Sequence, residues 1–160
     1  MSRVRQTEEA PEDDAAEGRN EGYVVTDQVG YLLRRAYQRH LAIFQANTVD
    51  PQLTSVQFAT LCALREGGPQ AQGELVKATS IDQATIRGIV ERLKARGLVA
   101  FSKDRDDARK VIYSLTGEGT RLVSEMIAPA ITITEQTFGQ LNPGERLALL
   151  FTLRRMIGEA

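Results

Sequence analysis

The chain has 160 residues, 42% hydrophobic and 26% charged, with a formal net charge of −1, which suits one soluble domain with a hydrophobic core. No apolar run reaches the roughly 18 residues of a membrane span and the amino terminus is polar and acidic, so we predict a cytoplasmic protein without a signal peptide. One cysteine and one histidine exclude an internal disulfide and leave no Cys/His cluster, so we predict neither a metal nor another cofactor.

The amino-terminal segment, residues 1–22, contains almost no large apolar side chains. Burial cannot repay the entropy of ordering such a segment. We therefore predict a disordered arm over residues 1–22 and a single domain over residues 23–160. Residues 1–20 hold six acids and three arginines, so this acidic arm masks a mildly basic body.

A long amphipathic helix is predicted from Val24 to about Ala46. Its apolar residues recur at steps of three and four, as on one face of a helix. His40, the only histidine, lies within this apolar stripe instead of on the polar side.

Three further helices, joined by short turns, follow the Asp50-Pro51 break. The first begins at Thr54 and stops at Gly67, and a short one covers about 71–78. The third begins with Asp82 as N-cap and ends at Gly97, where a left-handed residue is favoured. This arrangement predicts a helix-turn-helix.

Two β-branched and aromatic runs, "LVAFS" and "KVIYSL", predict a hairpin whose loop is "KDRDDAR". Residues 72–115 carry nine Lys/Arg against six Asp/Glu, so the positive charge is concentrated here. A hairpin after a helix-turn-helix is a wing, and its tip is placed to meet phosphates. Asp104 or Asp107 is expected to orient Arg105 or Arg109 by accepting its hydrogen bonds. The alternative is a solvated, self-neutralising loop.

The carboxy-terminal part predicts two more helices. One runs from Thr116 to about Gly139 with a bend at Pro129, and the last begins at Asn142 with Pro143 in its first turn. Their apolar faces exceed what one small core can cover, which favours a partner subunit, although packing on the first helix within the chain is an alternative. The predicted fold is mainly α with a small β-hairpin wing: a winged helix-turn-helix at about 53–115 and dimerisation helices at about 24–46 and 116–158.

Three segments, "LTSVQFATLCAL", "IDQATIRGIVERLKARGLV" and "KDRDDARKVIYSLTGEG", resemble in their order and spacing the MarR (multiple antibiotic resistance regulator) family of winged-helix transcriptional regulators. The resemblance covers roughly residues 30–158. It implies a homodimer that binds a palindromic site on double-stranded DNA, with repression released by a small effector. The acidic arm would then be either passive or a competitor of DNA for the basic surface.

The exposed half of the third helix in this motif is predicted to read bases. At 100° per residue its apolar residues gather on one face, which leaves Gln83, Thr85 and Arg87 on exposed positions. A contact from Arg87 to phosphate alone is the alternative. Family members often carry a polar residue where this chain has Gly88, which limits what can be transferred. Wing contacts are predicted for Lys103, Arg105, Arg109 and Lys110, without choosing which enters the minor groove.

Regulators of this family bind small aromatic or phenolic effectors between the dimerisation helices and the winged helix. The resemblance therefore implies that His40 with Arg34 or Arg39 holds a carboxylate or ring hydroxyl. The apolar walls would come from Tyr37, Phe44 and Phe58. The segment "VTDQVGYLLRRAYQRHLAIFQ" also resembles regulators of nicotinate degradation, so 6-hydroxynicotinate is an expected effector. A core histidine bonded to a neighbour is the alternative for His40.

Three other functions are alternatives to a ligand-controlled DNA-binding regulator. An enzyme is not predicted, because "GEG" at 117–119 follows a wing strand and lacks the third glycine of a nucleotide-binding loop. A thiol-based redox repressor would use Cys62, which lies on the apolar side of its helix beside Phe58 and Leu61, where an inert thiol is commoner. A protein-interaction module would use the winged helix without DNA.

Overall fold

The computed structural model describes residues 22–104, 107 and 109–159. The predicted arm, apart from Gly22, and the wing residue Arg105 lie outside the described residues. Those described form the elements α1 (Val29–Asn47), α2 (Ser55–Gly67), β1 (Gln70–Ala71), α3 (Gln72–Thr79), α4 (Gln83–Ala95), β2 (Val99–Lys103), β3 (Val111–Leu115), α5 (Gly117–Phe138) and α6 (Pro143–Met156). The chain divides into two compact units, one ending at Ala36 and one beginning at Tyr37. The division into a single domain stays a prediction.

The first unit contains a 3-10 turn, Val25–Asp27, and the beginning of α1. The predicted helix start at Val24 is therefore too early. Gln28 has extended backbone angles, φ −78° and ψ 139°, which separate the turn from α1. The Gln28 side chain donates to the Val24 carbonyl at 3.0 Å and so stabilises this break.

The second unit contains the helix-turn-helix, with the predicted caps in place. Thr54 Oγ1 accepts from the Gln57 backbone N–H at 3.3 Å, and Asp82 Oδ1 accepts from that of Thr85 at 2.9 Å. Gly97 ends the α4 region with φ 71°, the left-handed conformation that glycine adopts without strain. The prediction of three helices in this segment is confirmed.

The predicted wing is confirmed as the antiparallel pair β2–β3, in which Phe101 lies opposite Tyr113. A third strand, β1, pairs with the other edge of β3 and gives the order β1-β3-β2. The sequence analysis missed β1 because two residues are too few for an alternating pattern. This strand holds the start of α3 against the wing.

The core of the second unit is formed mainly by the helix-turn-helix and α5. Its fully buried members are Leu53, Leu61, Leu75, Ile86, Ile89, Val90, Leu93, Val123 and Met126. Full burial of one such side chain contributes about 1.5–3 kcal/mol. Because α4 buries the face carrying Ile86, Val90 and Leu93, its opposite face is left for other contacts. An Asp50–Arg96 ion pair ties the end of α4 to the α1–α2 connection.

The last two helices begin and end near the predicted residues. α5 continues through Pro129, and α6 starts with Asn142 as N-cap and Pro143 in its first turn. No residue of α6 is buried, and its apolar side chains Leu147 and Phe151 are 71% and 60% exposed. A broad apolar face of this kind is unusual for a surface that meets only water.

Replacing Gly119 with alanine is expected to destabilise the second unit by about 1–3 kcal/mol. Gly119 is buried in the first turn of α5, and a Cβ there would overlap the Leu98 carbonyl oxygen at the α4–β2 turn. Gly117→Ala is the matched control, since nothing lies within 4 Å of its added Cβ. Urea unfolding measures both variants, and equal stability of the two would contradict this close approach.

Candidate nucleic-acid interface and effector site

The exposed face of α4 carries the residues predicted to read bases. Gln83, Thr85 and Arg87 are all exposed. Hydrogen bonds from the Thr85 side chain and backbone lower the pKa of Asp82, so the N-cap carboxylate stays charged at neutral pH. The Gln72 amide donates to the Gln83 carbonyl at 3.0 Å and links α3 to the start of α4. The Asp82 cap and the bond from Gln72 of α3 therefore fix the start of α4, which carries the residues predicted to read bases.

The wing presents cations that a carboxylate orients, as expected. Arg109 Nε donates to Asp107 Oδ1 at 3.2 Å, while the arginine side chain remains 92% exposed. Asp104 Oδ1 accepts from the Asp107 backbone N–H at 2.9 Å, which holds Asp107 close to the end of β2. Lys103 and Lys110 are exposed at the ends of the two strands. An exposed pair of this type contributes little stability, so its effect is on the direction of Arg109.

A cleft of about 790 Å³ lies between α3, α4 and the wing. Its lining includes Arg87, Arg109 and Lys110 from the predicted DNA-binding set, and excludes Gln83, Thr85 and Lys103. The same cleft is lined by Lys77, Glu91 and Tyr113, which the sequence analysis missed. An exposed lysine in a short helix and an aromatic residue in a strand carry no signal of their own. The packing of α3 on α4 brings Lys77 to the cleft, and the pairing of β1 with β3 joins the strand of Tyr113 to the start of α3.

His40 is half-buried and lies beside the predicted Tyr37 and beside Thr137, which was not predicted. Its Nδ1 is 3.0 Å from Thr137 Oγ1, and its ring stacks on Tyr37 with centroids 6.2 Å apart. The Thr137 hydroxyl donates its only hydrogen to the Ile133 carbonyl at 2.7 Å. With that hydrogen engaged, Thr137 Oγ1 accepts from His40 Nδ1–H, and in this tautomer Nε2 is an acceptor.

The two arginines predicted beside His40 have different surroundings. Arg39 donates to the carbonyls of Gln136 and Thr137 at 2.7 Å each and so caps the end of α5. An effector contact from Arg39 would require these bonds to break. Arg34 belongs to the first unit, where its guanidinium lies 5.2 Å from the Tyr31 ring centroid.

Phe44 and Phe58, the other predicted wall residues, pack together with ring centroids 6.1 Å apart. Phe58 also lines an open groove of about 290 Å³ between α2 and α5. The other lining residues are Cys62, Arg65, Ile127, Ala130, Ile131 and Thr134. The sequence analysis missed this groove because its two walls come from helices far apart in the chain. Arg65 there is a second candidate for holding a carboxylate.

Cys62 is the thiol on which the redox alternative depends. Burial raises the pKa of this thiol above its usual value. The reactive thiolate is therefore disfavoured at neutral pH. This environment gives the redox alternative less support than the effector hypothesis.

Residues 22–104, 107 and 109–159 contain neither a candidate metal cluster nor a candidate membrane-spanning helix. No group of three His, Cys, Asp or Glu side chains in these ranges is placed to hold a metal ion. None of the helices described there is long and apolar enough to cross a membrane.

Comparison with known proteins gives four similarities, to one family model, one sequence relative and two solved structures. Residues 53–111 match the MarR family model. The chain is 62% identical over 138 residues to the HTH-type transcriptional repressor NicR of Pseudomonas putida, covering 86% of this chain and 87% of NicR. The fold is similar to that of Bordetella bronchiseptica BpsR, whose DNA binding is regulated by 6-hydroxynicotinic acid, with TM-score 0.81, 55% identity and coverage of 85% and 97%. It is also similar to Streptomyces coelicolor PcaV in complex with its natural ligand, with TM-score 0.77, 28% identity and coverage of 86% and 96%.

Proposed function

The chain belongs to the MarR family, and from this premise we propose that it is a homodimeric transcriptional repressor released from a palindromic operator by a hydroxypyridine carboxylate such as 6-hydroxynicotinate. The observation that carries the proposal is its joint similarity to the repressor NicR and to BpsR, a regulator controlled by 6-hydroxynicotinic acid. The relatives are transcriptional regulators, and we propose no enzymatic activity. We propose that the protein acts in the cytoplasm, where its operator DNA would lie.

In the proposed complex α4 lies in the major groove and the wing reaches the adjacent minor groove. The exposed positions of Gln83, Thr85 and Arg87 on α4 support base contacts. The exposed cations Lys103, Arg109 and Lys110 support contacts of the wing, and Arg105 stays a prediction. Two protomers would present their α4 helices one DNA turn apart, roughly 34 Å.

The homodimer is supported by apolar surface that a single chain leaves uncovered. α6 buries none of its residues, and α5 exposes Ile127 and Ile131. Burial of such side chains against a second copy is favourable by about 25 cal/mol per Å² of apolar surface. Dimerisation through these helices would hold the two recognition helices at a fixed spacing.

The effector proposal rests on the acceptor at His40 Nε2. A 6-hydroxynicotinate molecule carries a ring hydroxyl, or the N–H of its pyridone tautomer, that can donate to this atom. Tyr37, stacked on His40, offers an aromatic surface to the ring. Arg65 in the groove beside Phe58 is a candidate for the carboxylate, and the role of Arg34 stays a prediction. The effector lowers operator affinity only by its differential affinity for the DNA-bound and DNA-free conformations.

Purified protein is expected to bind DNA from its own promoter region tightly, with a logarithmic binding constant that falls by about 0.9 per phosphate contact for each tenfold increase in salt. Adding 6-hydroxynicotinate should release the DNA, because it favours a dimer whose helices do not fit successive grooves. Fluorescence anisotropy over a salt series measures both effects. Benzoate and nicotinate, which lack the ring hydroxyl, serve as matched control ligands.

The outcomes separate the parts of the proposal. Absence of specific binding to promoter DNA contradicts the regulator itself. Binding that no pyridine carboxylate relieves retains the regulator and contradicts the effector. Release by peroxide that Cys62→Ser abolishes would instead establish the redox mechanism.

A further inference from the structure

The cleft between α4 and the wing occupies the place where one DNA strand must pass. A sugar-phosphate strand separates each major groove from the adjacent minor groove. If α4 lies in one groove and the wing in the next, this strand runs between them. The residues that line the cleft are therefore the ones that the strand meets first.

Tyr113 forms part of this cleft and is only 6% exposed. Its hydroxyl makes no hydrogen bond to another described residue. Among the described residues, every fully buried side-chain polar atom has a hydrogen-bond partner, so this hydroxyl oxygen is not fully buried. The hydroxyl oxygen therefore reaches the solvent in the cleft. Burial, followed by the nearby Glu91 carboxylate, raises the pKa of Tyr113, so the phenol stays protonated and able to donate.

The charges around Tyr113 favour an anion over a cation. Lys77, Arg87, Arg109 and Lys110 line the cleft. Its carboxylates are partly engaged: Glu74 accepts from the Ala71 backbone N–H at 2.7 Å, and Glu91 lies 3.9 Å from Lys94. Asp104 is part of the wing turn. The four lining cations outnumber the three lining carboxylates by one, and Arg109 is also paired with Asp107. A polyanionic strand would therefore meet a small excess of positive charge with a neutral donor among the cations.

We propose that this cleft binds a backbone phosphate of the operator strand that runs between the two grooves. Tyr113 donates a hydrogen bond to this phosphate as a neutral group, and Lys77 contributes the positive charge. The inference rests on the proposed function, because it requires α4 and the wing to engage DNA. It adds two contacts that carry no sequence information. Glu91, on the same wall, opposes the phosphate and limits binding to arbitrary DNA.

Tyr113→Phe is expected to weaken binding of the promoter DNA about tenfold. The loss should be the same for a scrambled duplex, because a phosphate contact carries no sequence information. The slope of the binding constant against salt should not change, because a phenol releases no counterion. Lys77→Gln should also weaken both duplexes, but it should reduce the slope by about 1.8 for the two protomers of the dimer. Glu91→Gln should instead increase the affinity for the scrambled duplex, because it removes a negative charge beside the phosphate.

Several measurements keep this test separate from folding and from the proposed function. Tyr23→Phe is the control, since Tyr23 is 69% exposed and does not line the cleft. Thermal unfolding and 6-hydroxynicotinate binding of the DNA-free protein should be unchanged in Tyr113→Phe. Wild-type affinity in Tyr113→Phe, with specific binding by the wild type, overturns the inference alone. Absence of specific binding by the wild type overturns the proposed function.

Discussion

Replacing Arg87 with alanine is expected to weaken operator binding by about 10- to 100-fold, the loss typical of an arginine bonded to a base edge. Arg87 lies on the exposed face of α4 and lines the cleft toward the wing. Its exposed position on α4 supports a reach into the major groove, and its place in the cleft lining supports the alternative of a phosphate contact. Anisotropy titrations with promoter duplexes substituted at single positions measure the effect.

The pattern of the loss identifies the type of contact. A base contact predicts that Arg87→Ala relaxes discrimination at one position of each half-site. A phosphate contact predicts an equal loss on every duplex and a lower salt slope. Arg65→Ala removes the same charge outside the DNA face and is the matched control, because Arg65 lines the groove between α2 and α5. Wild-type affinity in Arg87→Ala would contradict the docking of α4.

Replacing His40 with alanine is expected to weaken 6-hydroxynicotinate binding by about 5- to 150-fold and to leave operator binding of the effector-free protein unchanged. The bond of Nδ1 to Thr137 fixes Nε2 as the acceptor, so the variant leaves the effector's donor without a partner. Isothermal titration calorimetry with the DNA-free protein measures this loss directly.

Two further variants test the reasoning behind His40. Thr137→Val removes the group that selects the tautomer but does not touch the acceptor, so its loss should be smaller than that of His40→Ala. Arg65→Ala tests the groove between α2 and α5. Loss of effector binding in Arg65→Ala, with wild-type binding in His40→Ala, would place the effector in that groove instead.

The helix-turn-helix and the wing were predictable from the sequence because their signals are local. The caps at Thr54 and Asp82, the left-handed Gly97 and the alternation in the hairpin each depend on a few neighbouring residues. A resemblance in three ordered segments then identified the family. The prediction that Asp104 or Asp107 orients Arg105 or Arg109 is confirmed for Asp107 and Arg109, two positions that are close in the chain.

The parts that escaped prediction depend on contacts between distant segments. Nothing near Arg39 in the chain indicates that it caps the end of α5, almost a hundred positions later. The sequence indicates only that Tyr113 is a strand residue. Its place in the cleft depends on the β1–β3 pairing and on residues of α4. The groove beside Phe58 needs α2 and α5 together. The helix start at Val24 was wrong because periodicity does not register a single extended residue, Gln28.

The uncovered apolar side chains of α6 also affect how every binding curve must be interpreted. If they are covered only in the dimer, the operator selects dimers from a population set by mass action. Below the dimer dissociation constant, occupancy rises with the square of the protein concentration, and operator DNA itself promotes assembly. The cellular copy number of the protein would then set the steepness of repression, and a weakened α6 interface would mimic the presence of effector.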